Sequence, residues 1–458
     1  MIEQAGARLA EISWAGLSPV AREKLKLCVI ANVSAAVAGV PYVRLPEPQP
    51  ARGHEKKTAA AHLLFSGRRV ANTRDAAFWN AAVMHARTQD DMNPVCNLHA
   101  GTVVIPAAIA AAENAIAIAG PAAVSGAAFL DAVAAGYTAA SGLSRSFNQT
   151  TTPKGLRSTG LYMPFGAAAA AGRIAGLDAT GIGNAIALAA SCAAGLSQCW
   201  IDGSDEWQLH VAQAAANGLL AVTLTQRGVR GGAHALDGSA GFYRAYAGSA
   251  PTSSSLIADL DADRAVIETL LKRYPVSGIV QPVAYLAERI AAEHAPDCID
   301  IARVRIAMNP FEMRYPGTLN KGPFASFSAV LMSVPFACAS VLAKGRFEFS
   351  DLWDRNRPER DRLIAATEVS DDPALPSLSC RIELVLADGA RITDAIPDGG
   401  KEAGLAIDAS SIEAWARSLW LEAGCSAATY AAFRSVVDTL GHGTAQDLLA
   451  TLPGGTTQ

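Results

Sequence analysis

The sequence predicts a mainly α-helical protein with a smaller α+β part towards its C-terminal end. Three observations predict this class. Alanine fills long stretches of the first 240 or so residues, and it loses almost no side-chain entropy in a helix while letting helices approach closely. Half of the 458 residues are hydrophobic and only 17% are charged, so a large core is possible. Two later segments alternate apolar and polar residues with the period of β-strands.

The N-terminal half predicts one helix after another. The first begins after Ser18, a residue type that caps helices, has Pro19 at its first position and ends at Gly39. Thr73 or Asp75 is the candidate cap of the next helix, which contains the run DAAFWNAAVMHAR. Four further Ala-rich helices are predicted at GTVVIPAAIAAAENAIAIAG, GAAFLDAVAAGYTAASGLSRS, MPFGAAAAAGRIAGL and TGIGNAIALAASCAAGL.

The C-terminal half mixes strands and helices. The segments Asp300–Met308 and Ser379–Leu386 alternate as strands do, and an ADGA turn follows the second. Helices are predicted at Pro282–His294, Ala325–Leu342, Ile412–Gly424 and Ala427–Leu440.

These elements predict two domains. A large all-helical domain spans residues 1–265 and returns over 401–458, and a smaller α+β domain over 266–400 is inserted before the C-terminal helices. Prolines mark an irregular crossing over residues 40–70, and the tail 452–458 is expected to fray.

Charge and cysteine content exclude several classes of protein. The net charge of -4 argues against electrostatic binding of nucleic acid. The eight cysteines show neither a C-x2-C pair nor a zinc-type Cys/His cluster, so no metal site is predicted and a reducing, cytoplasmic setting is expected.

The uncharged stretch Ala179–Ile201 is long enough to span a bilayer but is broken by glycines and polar residues, which favours a buried helix pair over a membrane anchor.

Five segments resemble motifs of the MmgE/PrpD family, in the family's order. HARTQDDMN at His85–Asn93, followed by NLHAGTVVIPAAIAAAE, resembles its H-A-x-D-x-D-D segment and the His-containing helix start that comes next. The other four are GLRSTGLYMPFGAAAAAGRIAGL, EWQLHVAQAAANGLLAVTLTQRGVRG, KRYPVSGIVQPVAYLA and FASFSAVLMSVPFACASVLAKGRF. Together they cover nearly the whole chain, and five in order are far more specific than any one of them.

The resemblance implies a helical body with an α+β lid, usually in a homodimer, and proton transfer at carbons beside carboxylates without metal or organic cofactor. On that basis we expect a cofactor-independent lyase, of the dehydratase or decarboxylase type, acting on a small di- or tricarboxylate. Two alternatives remain open: an epimerase or isomerase of a dicarboxylate, and a family member that has lost catalysis and binds a metabolite.

This chain departs from the family's motifs at four positions. Thr88 replaces the first Asp of the H-A-x-D-x-D-D segment, Arg157 replaces a His, Trp207 a Lys and Gln281 a His. The matching positions that are retained are His85, Asp90, Asp91, His99, His210 and Lys272.

Five of the retained residues are the candidate catalytic groups: His99, Lys272, Asp90, Asp91 and His210. His99 lies just before a predicted helix, where the dipole favours a neutral imidazole that can act as a base. Lys272 is followed by Arg273, and an amine beside another cation gives up its proton more readily. Asp90 and Asp91 are predicted either to position a catalytic base or to cap the following helix.

Two other histidines have ordinary explanations beside the catalytic one. His210 follows an acidic turn and would pair with a carboxylate almost as readily as it would serve catalysis. His85 lies on an apolar helix face, which is typical of a core residue.

Three residues are predicted to bind the substrate: Arg157, Arg273 and Gln281. The planar fork of Arg157 suits a carboxylate, and with Lys154, Lys272 and Arg273 it would build an anion clamp. An exposed loop arginine is the alternative for Arg157. The roles of Tyr315 and Lys321 stay open.

Overall fold

A computed structural model describes residues 1–51, 61–355 and 357–453 of the chain. The fold is mainly helical with small sheets, which confirms the predicted class. Part of the crossing predicted over residues 40–70 and most of the tail predicted to fray lie outside the described residues. The chain forms two compact units: the first comprises Met1–Leu196, Trp207–Thr269 and Ala409–Gln458, and the second comprises Ser197–Glu206 and Leu270–Asp408.

The first unit is almost entirely helical. Its described helices are Ile2–Glu11, Pro19–Val37, Thr73–His85, Gly101–Ala119, Gly126–Arg145, Asn148–Thr151, Ser158–Ile174, Ala179–Ala189, Glu206–Gln226, Phe242–Ala247, Ser253–Asp259, Ala262–Ile267, Ile412–Glu422, Ala427–Thr439 and Ala445–Thr451. Strands Ala61–Leu63 and Arg68–Val70 form an antiparallel hairpin, and Asp91–Met92 is a further short strand.

Helix ends follow the predicted capping chemistry with one correction. The hydroxyl of Ser18 accepts the backbone N–H of Ala21, which confirms the predicted start of the helix Pro19–Val37. The helix Thr73–His85 is capped by Asn72, not by Thr73 or Asp75. The extended backbone of Asn72 lets its side-chain oxygen accept the N–H of Arg74, which leaves Thr73 as the first helical residue.

Three helices at the centre of the unit pack closely because their contact faces carry small residues. The helices Gly101–Ala119, Gly126–Arg145 and Ser158–Ile174 all contact one another. A Cβ atom built on Gly136 would lie 2.9 Å from the carbonyl oxygen of Gly166 and 2.5 Å from a methyl group of Val104. Since carbon atoms do not approach backbone oxygen so closely, glycine is required there.

The variant Gly136→Ala is therefore expected to lower the free energy of unfolding. Overpacking costs about 1–3 kcal/mol, against a helix-propensity gain of at most about 1 kcal/mol for Gly to Ala. Gly232 is the matched control, because a Cβ there has no neighbour closer than 3.8 Å. Gly232→Ala should change stability by less than about 0.5 kcal/mol. Urea unfolding of both variants measures the difference, and equal stabilities would refute the close packing.

Among the described residues, one helix is long and apolar enough to cross a membrane. It is Gly101–Ala119, and 61% of its most apolar window is buried inside the protein, as in the core helix of a soluble protein. The stretch Ala179–Ile201, also of membrane-spanning length, is interrupted: the helix Ala179–Ala189 ends well before the short helix Gln198–Asp202 begins.

The second unit is built on a four-stranded sheet. The order across the sheet is Thr367–Asp371, Ile301–Met308, Cys380–Leu386 and Arg391–Ile396. The first pair is parallel and the other two are antiparallel. A further short strand is Leu270–Leu271, and the described helices are Gln198–Asp202, Gln281–His294, Pro310–Met313, Phe327–Val330, Val334–Lys344 and Pro358–Ala365.

Both predicted strands are confirmed, at Ile301–Met308 and Cys380–Leu386, but the two outer strands were not predicted. Most of their residues are exposed or only partly buried, and their sequences lack the clear apolar alternation that marks a half-buried strand.

The helix predicted over Ala325–Leu342 is wrong in one respect, because the chain forms two helices there. Ser333 caps the second one by accepting the N–H of Phe336, and Pro335 cannot donate the hydrogen bond that would continue the first.

Candidate active site

A short loop of the first unit returns His99 to the side of Asp90. Asn93 and Leu98 exchange two backbone hydrogen bonds, of 2.8 and 3.3 Å, which closes the loop between them. The side-chain oxygen of Asn93 accepts the backbone N–H groups of Val95 and Cys96, both at 3.0 Å. The sequence NPVCNL therefore folds as a tight turn, and His99 follows directly after it.

Asp90 lies between two imidazoles. Its Oδ2 is 2.6 Å from Nδ1 of His99, and its Oδ1 is 3.1 Å from Nδ1 of His85. Asp90 is completely buried, and the side chain of His99 is 18% exposed. Nδ1 of His99 also lies 3.2 Å from the carbonyl oxygen of Asp91. Because both neighbours of this nitrogen are acceptors, it carries the hydrogen, and the basic lone pair of His99 is on Nε2.

Arg157 extends this group of side chains on the far side of His85. Its Nη2 lies 2.8 Å from Nε2 of His85, and its Nη1 lies 2.5 Å from the carbonyl oxygen of Trp207 and 3.3 Å from Nδ1 of His210. Arg157 is 2% exposed, so it is not the exposed loop residue of the alternative. The ring of Trp207 packs edge-on against His85 at 5.0 Å. We call the side chains of His85, Asp90, His99, Arg157 and His210 the imidazole cluster.

Burial keeps two of these imidazoles neutral. It lowers the pKa of His85 to about 3, with help from His99 and Arg157 and against the attraction of Asp90. Burial, followed by the charge of Arg157, likewise lowers the pKa of His210 to about 3. Among the described residues no carboxylate pairs with His210, which argues against the carboxylate pairing predicted from the acidic turn before it.

These shifts predict acid destabilisation. An unfolded histidine has a pKa of about 6.5, so below that pH the unfolded chain binds protons that the folded chain does not. The contribution of the two neutral histidines to the free energy of unfolding is fully present above about pH 6.5. It is lost progressively as the pH falls towards 3, by up to about 1.4 kcal/mol per pH unit for each imidazole. Urea unfolding at about pH 7, 6 and 5 measures the slope. The variant His210→Gln should have a shallower slope, and an unchanged slope would contradict the neutral buried state of His210.

Asp91 anchors the segment instead of facing the imidazoles. It is completely buried, its Oδ1 accepts the N–H of Gly101 at 2.9 Å, and its Oδ2 accepts the hydroxyl of Tyr137. Burial raises the pKa of Asp91 and that of Tyr137. Of the two roles predicted for the acidic pair, Asp90 has the geometry of base positioning and Asp91 that of the helix cap.

Three other predicted residues, Lys272, Arg273 and Gln281, belong to the second unit. Lys272 is 1% exposed and its backbone pairs with Ala406. Arg273 is partly exposed, donates to the carbonyl oxygen of Gly404 at 3.0 Å and lies over the ring of Tyr285.

Gln281 is fully buried in the same unit, and its side-chain amide forms hydrogen bonds with backbone groups of a turn. Its oxygen accepts the N–H of Tyr274, and its nitrogen donates to the carbonyl groups of Tyr274, Val276 and Ser277. Substrate binding by Arg273 and Gln281 stays a prediction, and the contacts of Gln281 indicate a structural role.

Lys154, expected in the anion clamp, donates at the surface of the first unit to the carbonyl oxygen of Tyr246. Lys321 is exposed and lies 3.5 Å from the carbonyl oxygen of Ala365, and the ring of Tyr315 packs against Phe311.

The side chains of His85, Asp90 and His99 bring three potential ligand atoms within 4.8 Å of one another. A metal-bound imidazole donates the hydrogen of its other nitrogen to an acceptor. The other nitrogen of His85 instead meets Arg157, which can only donate. Two N–H groups would then oppose each other, so this donor set does not fit a resident metal ion.

Sequence reasoning missed two residues of this region. His85 is buried, as predicted for a core residue, but its link between Asp90 and Arg157 was not predicted; its place at the head of the HARTQDD motif was the available signal. Tyr137 holds Asp91 from a different helix, and no sequence pattern indicates that contact.

Comparison with known proteins gives the family. The MmgE/PrpD N-terminal domain model matches residues 4–255, more than half of the chain. Over 253 residues the chain is 27% identical to a cis-aconitate decarboxylase of Homo sapiens, an alignment that covers 53% of this chain and 51% of that protein. The chain thus matches about half the length of this curated relative. On the match of the domain model, and with the motifs in order along the sequence, the chain belongs to the MmgE/PrpD family.

Proposed function

We propose that the protein is a cofactor-independent lyase, of the dehydratase or decarboxylase type, that acts on a small di- or tricarboxylate. The pairing of His99 with the buried Asp90 carries the proposal, because it is the arrangement that general-base catalysis requires. Family membership and the similarity to a protein named cis-aconitate decarboxylase support the substrate class.

The proposed role of His99 follows from its tautomer. With the hydrogen on Nδ1, the neutral ring takes a proton through Nε2 from the carbon beside a substrate carboxylate. In a decarboxylation, Nε2 first gains a proton from solvent and then gives it to that carbon after CO2 has left. The carboxylate of Asp90 holds the ring in place and stabilises the imidazolium that forms. Lys272, a buried amine of the second unit, is the proposed second proton-transfer group.

Incubation of the protein with a panel of polycarboxylates in D2O tests the proposal, with cis-aconitate as the first member. We expect NMR to show deuterium at the carbon beside a carboxylate together with elimination of water or loss of CO2. The rate should survive dialysis against EDTA, and His99→Gln should abolish both events. Exchange without elimination would identify an epimerase or isomerase instead. Binding without any exchange would identify a metabolite-binding protein, and either result would overturn the lyase proposal.

The proposal includes a homodimer, as the family resemblance implies, and a cytoplasmic setting, which the scattered cysteines favour. The Ala- and Gly-rich helices of the first unit support the dimer, because such helices offer flat faces for close packing. Light scattering at micromolar concentration tests the assembly: a mass near the 47.4 kDa of one chain would refute the dimer.

A further inference from the structure

The guanidinium of Arg157 decides which nitrogens of its neighbours are acceptors. It approaches Nε2 of His85 at 2.8 Å and Nδ1 of His210 at 3.3 Å, and it is buried with them inside the first unit. A guanidinium has five N–H donors and no acceptor, and it stays charged at every ordinary pH. Each imidazole nitrogen that faces it must therefore accept.

For His85 this leaves one neutral tautomer, with the hydrogen on Nδ1. That nitrogen lies 3.1 Å from Oδ1 of Asp90 but makes no aligned hydrogen bond with it. The contact between His85 and Arg157 meets hydrogen-bond geometry, so Arg157 is the partner that selects the tautomer. The low pKa of His85 supports the neutral form.

We infer that Arg157 is a positioning residue that fixes the hydrogen of His85 on Nδ1, the nitrogen that lies 3.1 Å from Oδ1 of Asp90. Both oxygens of Asp90 then face an imidazole N–H, Oδ1 towards His85 and Oδ2 towards His99. With Oδ1 held by its attraction to His85, Oδ2 stays 2.6 Å from Nδ1 of His99. Asp90, the carboxylate that orients the proposed base His99, is thus itself oriented by His85 on its other side.

This role differs from the carboxylate clamp that the sequence predicts for Arg157. A clamp presents both terminal nitrogens to a ligand, whereas here Nη1 contacts Trp207 and His210 and Nη2 contacts His85. The tautomer of His85 is independent of any reaction. Its effect on the rate rests on the proposed function.

Nitrogen-15 NMR of the histidine side chains tests the tautomer in the protein without substrate. We expect wild-type His85 to be protonated on Nδ1 and His210 on Nε2, and Arg157→Met to turn the His85 signal into a mixture of tautomers. Arg173 provides the control: its guanidinium donates to the carbonyl groups of Ala10 and Ile12 and lies 3.7 Å from the carboxylate of Asp131, so the contacts it makes are with groups other than imidazoles. Arg173→Met should leave both imidazole signals unchanged. Wild-type His85 protonated on Nε2, or an unchanged signal in Arg157→Met, would overturn the inference.

Steady-state kinetics then separates the positioning role from the clamp. Loss of positioning should lower kcat by about 10- to 100-fold in Arg157→Met and leave KM within about threefold. A KM that rises with kcat retained would show that Arg157 binds the substrate carboxylate and would overturn the positioning role. If the wild-type protein turns over no polycarboxylate, the proposed function fails, and the NMR result still decides the inference.

Discussion

Replacing Asp90 by Asn is expected to lower kcat by about 10³–10⁴-fold, the scale on which a base loses its orienting carboxylate. The amide has one acceptor and one donor end, whereas the two imidazoles that face Asp90 both present N–H groups. One of the two imidazole N–H groups then faces the donor end of the amide. If His99 changes its tautomer in response, its hydrogen moves to Nε2, where the proposed reaction needs a lone pair. The rate of deuterium incorporation into cis-aconitate, or into the panel member that reacts, measures the loss.

Asp91→Asn is the matched control for this variant, because Asp91 is equally buried and adjacent but faces Tyr137 and Gly101. It should reduce stability and keep kcat within about tenfold of wild type. Circular dichroism of both variants checks that each is folded. An equal loss of kcat in the two variants would show that the effect comes from the segment as a whole and not from the pairing of Asp90 with His99.

Replacing Lys272 by Met is expected to lower kcat by about 10²–10⁴-fold while KM changes little, if Lys272 transfers a proton. Methionine fills a similar volume, so the change removes the amine from a site that is 1% exposed without leaving a large cavity. A rise in KM with kcat retained would instead make Lys272 a carboxylate anchor.

Lys344 serves as the control for the loss of a lysine within the same unit. Its amine lies 2.8 Å from Asp351 and 3.0 Å from Glu348, and it pairs with these carboxylates at the end of a helix. Lys344→Met should lower the melting temperature slightly and leave kcat within about twofold of wild type. A comparable loss of kcat in Lys344→Met would mean that the Lys272 effect reflects the stability of the unit.

The outline of the helical unit could be predicted because its signals are local. Ser18 and Pro19 specify a helix start through a cap and a fixed φ angle, and both act within one turn of the chain. The break in front of Val334–Lys344 depended on a small difference in free energy between continuing the preceding helix and starting a new one capped by Ser333. Tertiary packing affects this difference as much as helix propensity does. The sequence therefore predicts the two short helices as one.

Part of the candidate site could also be predicted from the sequence, and part could not. Sequence motifs alone determined that this is an MmgE/PrpD-type chain, that His99 and the acidic pair are retained, and that Arg157 and Trp207 depart from the family pattern. They could not assign different tasks to Asp90 and Asp91, because neighbouring side chains point in different directions and the partners come from distant parts of the chain.

Only the tertiary structure decided that Arg157 contacts His85, 72 residues away in sequence, and that this guanidinium is buried with the imidazoles of His85 and His210. The physical reason is that a motif fixes which chemical groups are present, whereas burial and the approach of distant helices fix their partners. Those partners in turn decide which nitrogen carries the hydrogen and which group stays neutral.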